Sequence, residues 1–206
     1  MKTLLINTLI LVSFIGCTNS SKKNYEDEIK LFQYKLNTEF ADATTSPLTA
    51  EDIKTFKALD FFDIDEDYKV TAELILTPEA PIFEMQTTTE RKPLYKKYGI
   101  AKFTVNGINC ELSLYQNQDF INSSTYGNLL FMPFNDLTNG KTSYGGGRFI
   151  DVEIPTKGNN TIEIDFNKAY NPYCAYNHSY SCPIPPAENN LNVSINAGEK
   201  AYHKLP

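Results

Sequence analysis

The chain has 206 residues, with 19 Lys and Arg against 25 Asp and Glu and a formal charge of −6 at pH 7. Its length suits a single domain with a full core. An acidic chain lacks the basic face whose phosphate contacts release counterions, which excludes a nucleic-acid partner.

Lys2 precedes a mostly apolar run over residues 4–15, broken only by Asn7, Thr8 and Ser13. A permanent span needs about 20 apolar residues, so this run is short for a transmembrane helix and fits the h-region of a secretory signal. The run ends Phe14-Ile15-Gly16-Cys17, which resembles the lipobox of bacterial lipoproteins, with Phe14 bulkier than the usual Leu. That resemblance implies a signal peptide over residues 1–16, cleavage before Cys17 and a lipid on Cys17. The lipid would be the link to the membrane. Residues 17–24 (CTNSSKKN) read as a polar, lipidated tether, leaving 25–206 as one domain. No acid directly follows Cys17, and the expected location is the cell envelope, facing the periplasm.

Ile29, Phe32, Leu36 and Phe40 recur at three- and four-residue steps and predict a helix over 25–43. Ser46-Pro47 ends it, and Thr49 followed by Asp52 reads as a capped start of a short helix to about Leu59. The period then changes to two. Tyr68, Val70, Ala72, Leu74 and Leu76 alternate with polar residues. Residues 98–115 form a hairpin about Asn106-Gly107, a strong two-residue turn signal. Further strands are expected at 82–88, 129–134, 148–154, 161–166 and 191–195. So many short strands without intervening helices predict a mainly β fold, an antiparallel sandwich or barrel-like domain preceded by one or two N-terminal helices.

The segment AYNPYCAYNHSYSCPIPPAENN, residues 169–190, concentrates Cys, Tyr and Pro. A loop of this length is either functional or disordered, and its tyrosines and prolines favour a packed one. Cys174, His178 and Cys182 are potential zinc ligands, though a structural site needs a fourth. In an exported protein Cys174 and Cys182 are also candidates for a disulfide, whose ring of about nine residues would contribute roughly 2.6 kcal/mol. Reduced, buried thiols are the third reading. A nucleophilic cysteine would need His178 as its base, with no orienting acid in view. Cys110 sits on an apolar strand face and reads as a core thiol. Tyr144-Gly145-Gly146-Gly147-Arg148 lacks the ending of a P-loop and reads first as a glycine turn. Arg148 is expected to pair with Asp165 or Glu188, and Asp165, Glu188 and Glu199 are candidate carboxylates for acid–base chemistry.

Three runs, PFNDLTNGKTSYGGGRFIDVEIP, IDFNKAYNPYCAYNHSYSCPIPPAENNL and NAGEK, resemble domain of unknown function 1684. SPLTAEDIKTFKALDFFDID and KYGIAKFTVNG resemble its exported, Bacteroidetes-type lipoprotein branch. The resemblance covers nearly all of the mature chain and implies no established activity. It implies a signature at Arg148, Asp165, Asn167, Tyr170, Asn171, Cys174, Tyr176, Cys182, Pro186, Glu188 and Asn189. It also implies Arg in many relatives where this chain has Asn190, a departure that removes one anion contact.

The expectation is a pocket under residues 167–190. Tyr170 and Tyr176 would wall it, with Arg148, Asp165, Asn167, Asn171, Glu188 and Asn189 as polar contacts, for a small polar or anionic ligand. No metal or other cofactor is expected. The alternatives are a hydrolase using Glu188 or Asp165 as acid or base, and a structural protein in which the motif only braces the loop.

Overall fold

The computed structural model describes residues 18–203. Cys17 and the expected signal lie outside them. The strands are β1 (Lys69–Leu76), β2 (Ile82–Glu84), β3 (Leu94–Val105), β4 (Ile108–Asn117), β5 (Leu129–Phe134), β6 (Arg148–Glu153) and β7 (Thr161–Asp165). They form one antiparallel sheet in the order β6-β5-β4-β3-β1-β7, with β2 beside β3. The sheet curls into a half-barrel, as the mainly β, barrel-like expectation holds. Asn106 and Gly107 both take positive φ, 51° and 74°, which matches the twist of the β3–β4 hairpin they close.

The concave face holds the main core. Ala72 and Leu74 of β1, Ala101 and Phe103 of β3, Leu112 and Leu114 of β4, and Leu130 and Met132 of β5 are all buried there. Alternation along each strand delivers them to one face, as the sequence pattern dictates. Leu76, expected on the same face, is exposed where β1 runs out.

The helix α1 (Thr18–Ala41) precedes the sheet. It starts earlier than its apolar stripe predicts, and Thr18 to Asn24 form its first turns. The anchor lies just beyond them. Tyr25 and Ile29 are buried, and Lys168 Nζ meets Glu28 Oε1 at 2.6 Å. Burying a side chain such as Ile29 contributes roughly 1.5–3 kcal/mol to docking the helix. Asp42 ends the helix by accepting from the Thr44 N–H at 2.9 Å.

The second helix, α2 (Asp52–Thr55), is a single turn. Thr49 Oγ1 accepts from the Asp52 N–H at 3.2 Å, the expected cap. Phe56 then turns extended, and the Leu59 N–H donates to Asn37 Oδ1 of α1 at 2.7 Å. That contact with α1 outweighs the local preference for a longer helix.

Residues 191–195 are not a strand. Leu191, Val193 and Ile195 are buried in alternation, so the period-two reading of their faces is right. The segment runs beside residues 135–137 through one parallel bridge, Asn135 with Asn190, and a few backbone bonds such as Leu137 N–H to Val193 O at 3.2 Å, too few for a continuous ladder.

Candidate functional site

Arg148 opens β6 directly after Gly147, whose φ of +91° admits glycine and strains other residues. The guanidinium is fully buried. Its Nη2 donates to Asp136 Oδ2 and to Ile195 O, both at 2.8 Å. Its Nη1 donates to Ala197 O at 2.5 Å and Glu199 O at 3.2 Å. The rings of Phe134 and Phe62 flank it, with centroids 5.3 and 5.7 Å from Cζ. Arg148 therefore bonds neither Asp165 nor Glu188. It stitches the C-terminal segment to the sheet through three carbonyls, and its counter-ion is Asp136, a residue the sequence reading did not single out. Asp136 Oδ1 meanwhile accepts from the N–H groups of Thr138 and Ile195.

Other expected pocket residues also join segments. Asp165 Oδ1 accepts from the Asn167 N–H and from the Tyr25 hydroxyl, both at 3.0 Å. Asn167 Nδ2 donates to Tyr25 Oη and to Asp65 O, both at 2.8 Å. These two residues fasten α1 to the end of β7. Tyr170 bridges the outer edge of β6 through Phe149 and donates its hydroxyl to Asp151 Oδ2 at 2.8 Å.

Glu199 gathers a further set. Tyr176 donates its hydroxyl to Glu199 Oε1, and the Asn171 N–H donates to Oε2 at 2.9 Å. Asn171 Nδ2 donates to Lys200 O at 2.7 Å. Glu199 is 1% exposed. Burial pushes its pKa up to about 7, against the opposing bonds from Tyr176 and Asn171 and the charge of Arg148. The three candidate carboxylates thus stand apart, Asp165 by Tyr25, Glu199 by Tyr176 and Glu188 by Lys97.

Asn189 is fully buried and completes the sheet. Strands β4 and β5 pair only at Tyr115 and Phe131 before diverging. The Asn189 amide fills the gap, donating to Ser113 O at 2.9 Å and Pro133 O at 2.6 Å and accepting from the Ser113 N–H at 2.8 Å. This side chain does the work of a peptide group in the ladder.

Docking Asn189 places Glu188 at a cavity. Glu188 Oε1 meets Lys97 Nζ at 2.5 Å and accepts from the Tyr115 hydroxyl at 2.7 Å. The hydrogen bond from Lys97 holds the Glu188 carboxyl below the usual range, with burial opposing. Burial raises Tyr115 well above an ordinary phenol, and the bond its hydroxyl donates to Glu188 adds to the rise. The cavity has a volume of about 650 Å³, and Pro78, Pro81, Phe83, Ile100 and Pro186 supply its apolar walls. It lies on the convex side of the sheet, between residues 77–81 and the end of the long loop. Of the eight expected pocket residues, Glu188 lines this cavity. Asp165 borders a separate polar groove between β6 and β7, of about 660 Å³. The other six are spent in the contacts described above.

Residues 54–200 match the family described as Protein of unknown function (DUF1684). The chain belongs to this family. The DUF1684 match includes the buried Arg148–Asp136 pair, Glu199 and the Lys97–Tyr115–Glu188 cluster, and it begins after α1. A solved structure, the solution NMR structure of an uncharacterized protein from gene locus rrnAC0354 of Haloarcula marismortui, is similar to this chain. The identity is 29%, the TM-score is 0.69, and the likeness covers 89% of this chain and 97% of that one. No curated protein matches.

In this DUF1684 chain Cys174 and Cys182 are free thiols lying side by side, both buried. The Cys174 N–H donates to Cys182 Sγ at 3.1 Å. His178 is exposed on the intervening turn. Among the described residues no group of three His, Cys, Asp or Glu is placed to hold a metal. Cys110 is buried on β4, in the main core.

Proposed function

We propose that this protein is a lipid-anchored binding protein of the cell envelope, of the Bacteroidetes-type lipoprotein branch, which takes a small amphipathic ligand in the cavity beside Glu188. The lipobox-like Phe14-Ile15-Gly16-Cys17 supports the anchor. One observation carries the binding reading. An apolar cavity of about 650 Å³ brings Lys97, Tyr115 and Glu188 together in one cluster, with Thr77 and Glu79 as its other polar lining residues. Apolar walls with a few convergent polar groups, at this size, are the usual plan of a small-molecule site. The ligand's apolar body would lie against Phe83, Ile100 and the prolines. Its anionic or hydrogen-bonding head would take Lys97 and Tyr115, with Glu188 yielding part of its hold on Lys97. Catalysis by Glu188 is disfavoured, because Lys97 keeps its carboxylate a weak base.

Native mass spectrometry of the full protein extracted from its own membranes tests this, with decanoate titration as a second readout. The wild type is expected to retain added mass that leaves on denaturation, or to bind decanoate. Ile100→Trp, which fills the cavity, should abolish both, and Lys97→Met should weaken decanoate binding at least tenfold. A wild type that carries no mass and binds no decanoate, or an Ile100→Trp variant that binds as well as the wild type, sinks the reading.

A further inference from the structure

The long loop brings two thiols together for which the proposed binding site has no use. Cys174 sits in a 3-10 turn, Tyr173–Ala175, opened by Pro172. Cys182 is fixed by a second strand of contacts, its N–H donating to Thr88 Oγ1 at 3.1 Å and its carbonyl accepting from the Thr88 N–H at 2.9 Å. The Cys174 N–H donates to Cys182 Sγ at 3.1 Å, and Tyr144 Oη lies 3.9 Å from Cys174 Sγ. They are 5% and 6% exposed, under a turn whose His178 and Tyr180 face solvent.

We propose that Cys174 and Cys182 form a reversible disulfide that clamps the long loop onto α1. The ring would enclose Tyr176, whose hydroxyl bonds Glu199 and whose ring packs on Phe40 of α1 with centroids 4.7 Å apart. Just before the ring's first cysteine, Tyr173 donates its hydroxyl to Glu39 of α1 at 2.6 Å. A crosslink here restricts the two tyrosines that hold the end of α1.

The pair is suited to exchange. The proximity of Cys182 pulls the Cys174 thiol down from its ordinary range, with burial opposing, while Cys182 is driven up. An attacking thiol with a pKa near ambient pH exchanges fastest. The oxidant is a small disulfide, RSSR. The Cys174 thiolate attacks one sulfur of RSSR, its S–S bond breaks, and RS⁻ leaves with the proton Cys174 gave up. Cys182 then loses its proton and attacks Cys174 Sγ, expelling the second RS⁻, which takes that proton. The protein dithiol is oxidised by two electrons and RSSR is reduced to two RSH. Cys110 takes no part, being in the main core on β4.

The full chain is equilibrated across a series of reduced and oxidised glutathione ratios, quenched in acid, denatured and alkylated. Intact mass should show two thiols protected together, with one midpoint, and Cys110 alkylated throughout. Cys110→Ala should leave the midpoint unchanged. Cys182→Ser should instead accumulate a glutathione adduct on Cys174. Amide exchange over residues 36–41 should slow at least tenfold in the oxidised form. Alkylation of Cys110, Cys174 and Cys182 at every ratio overturns the proposal, as does protection that persists in Cys174→Ser or that comes with a bound metal's mass. Unchanged exchange in α1 on oxidation overturns the clamp.

Discussion

Arg148→Met tests whether the buried arginine braces the fold or binds an anion. The change keeps much of the apolar stem and removes the charge. It strands the Asp136 carboxylate, whose side chain is fully buried, and it unpairs the carbonyls of Ile195, Ala197 and Glu199. Removing one partner of a buried ion pair costs about 3–5 kcal/mol. The carbonyl bonds are part of the same network and add to this less than their separate values. For a domain of this size each kcal/mol shifts Tm by about 2–4 °C, so the expected loss is about 6–20 °C. Urea unfolding followed by circular dichroism gives the free energy directly. Limited trypsin digestion should show early cleavage at Lys200, since residues 195–199 lose their tether. The double variant Arg148→Met with Asp136→Asn removes the stranded charge while keeping the acceptor for Thr138 and Ile195, and should regain part of the loss. A cost under about 1 kcal/mol, with Lys200 still protected, would refute the brace.

Glu199 should give stability a pH dependence of uncommon sign. Its folded pKa of about 7 lies above the ordinary 4.5, so the folded state holds the extra proton; the contribution is full below 4.5 and lost as pH rises through about 7. The span corresponds to on the order of 3 kcal/mol, and Glu199→Gln should flatten that part of the profile; a slope unchanged in the variant would clear Glu199 of responsibility. Gly147→Ala combines a φ of +91° with a Cβ placed 2.6 Å from Pro185 Cγ and 2.8 Å from Phe134 O, and should cost about 2–5 kcal/mol. Gly140→Ala, at φ +71° with open space around it, should cost about 1 kcal/mol, and thermal melts that rank the two the other way would contradict the packing argument.

The sequence signals that held were local ones. Asn106-Gly107 specifies its turn through the φ each residue tolerates, and strand alternation specifies which side chains enter the core. Where a backbone finds its partner is a different question, which alternation does not address. Residues 191–195 bury every second side chain as a strand would, yet three carbonyls from this segment onward turn to Arg148. Arg148 itself was legible as important and illegible in role. Its counter-ion is 12 residues away, and its carbonyl partners are 47 to 51 residues away. Asp136 carried only the signal of an Asx turn, its Oδ1 accepting from the Thr138 N–H two residues on.

The cavity cluster shows why even a correct hairpin did not reveal the site. Ile100 pairs with Ser113, Ala101 with Leu112 and Gly99 with Leu114. Continued without a break, that register sets Tyr98 opposite Tyr115 and Lys97 opposite Gln116. Residues facing one another across an antiparallel pair share a face, so Lys97 would point away from Tyr115. The irregularity between Lys97 and Gly99 makes Tyr98 an extra residue, and Lys97 pairs with Tyr115 instead. One inserted residue therefore moves a lysine to the face where Glu188 arrives on the far end of the long loop. A bulge re-aims side chains in this way at functional sites, and it leaves no mark in the alternation of a strand as polar as Lys96-Lys97-Tyr98. Lys97 and Glu188 each look like surface charges when read alone. The register shift and the Asn189 amide docked in the sheet bring them to 2.5 Å at the edge of an apolar cavity, a meeting that neither residue announces in the sequence.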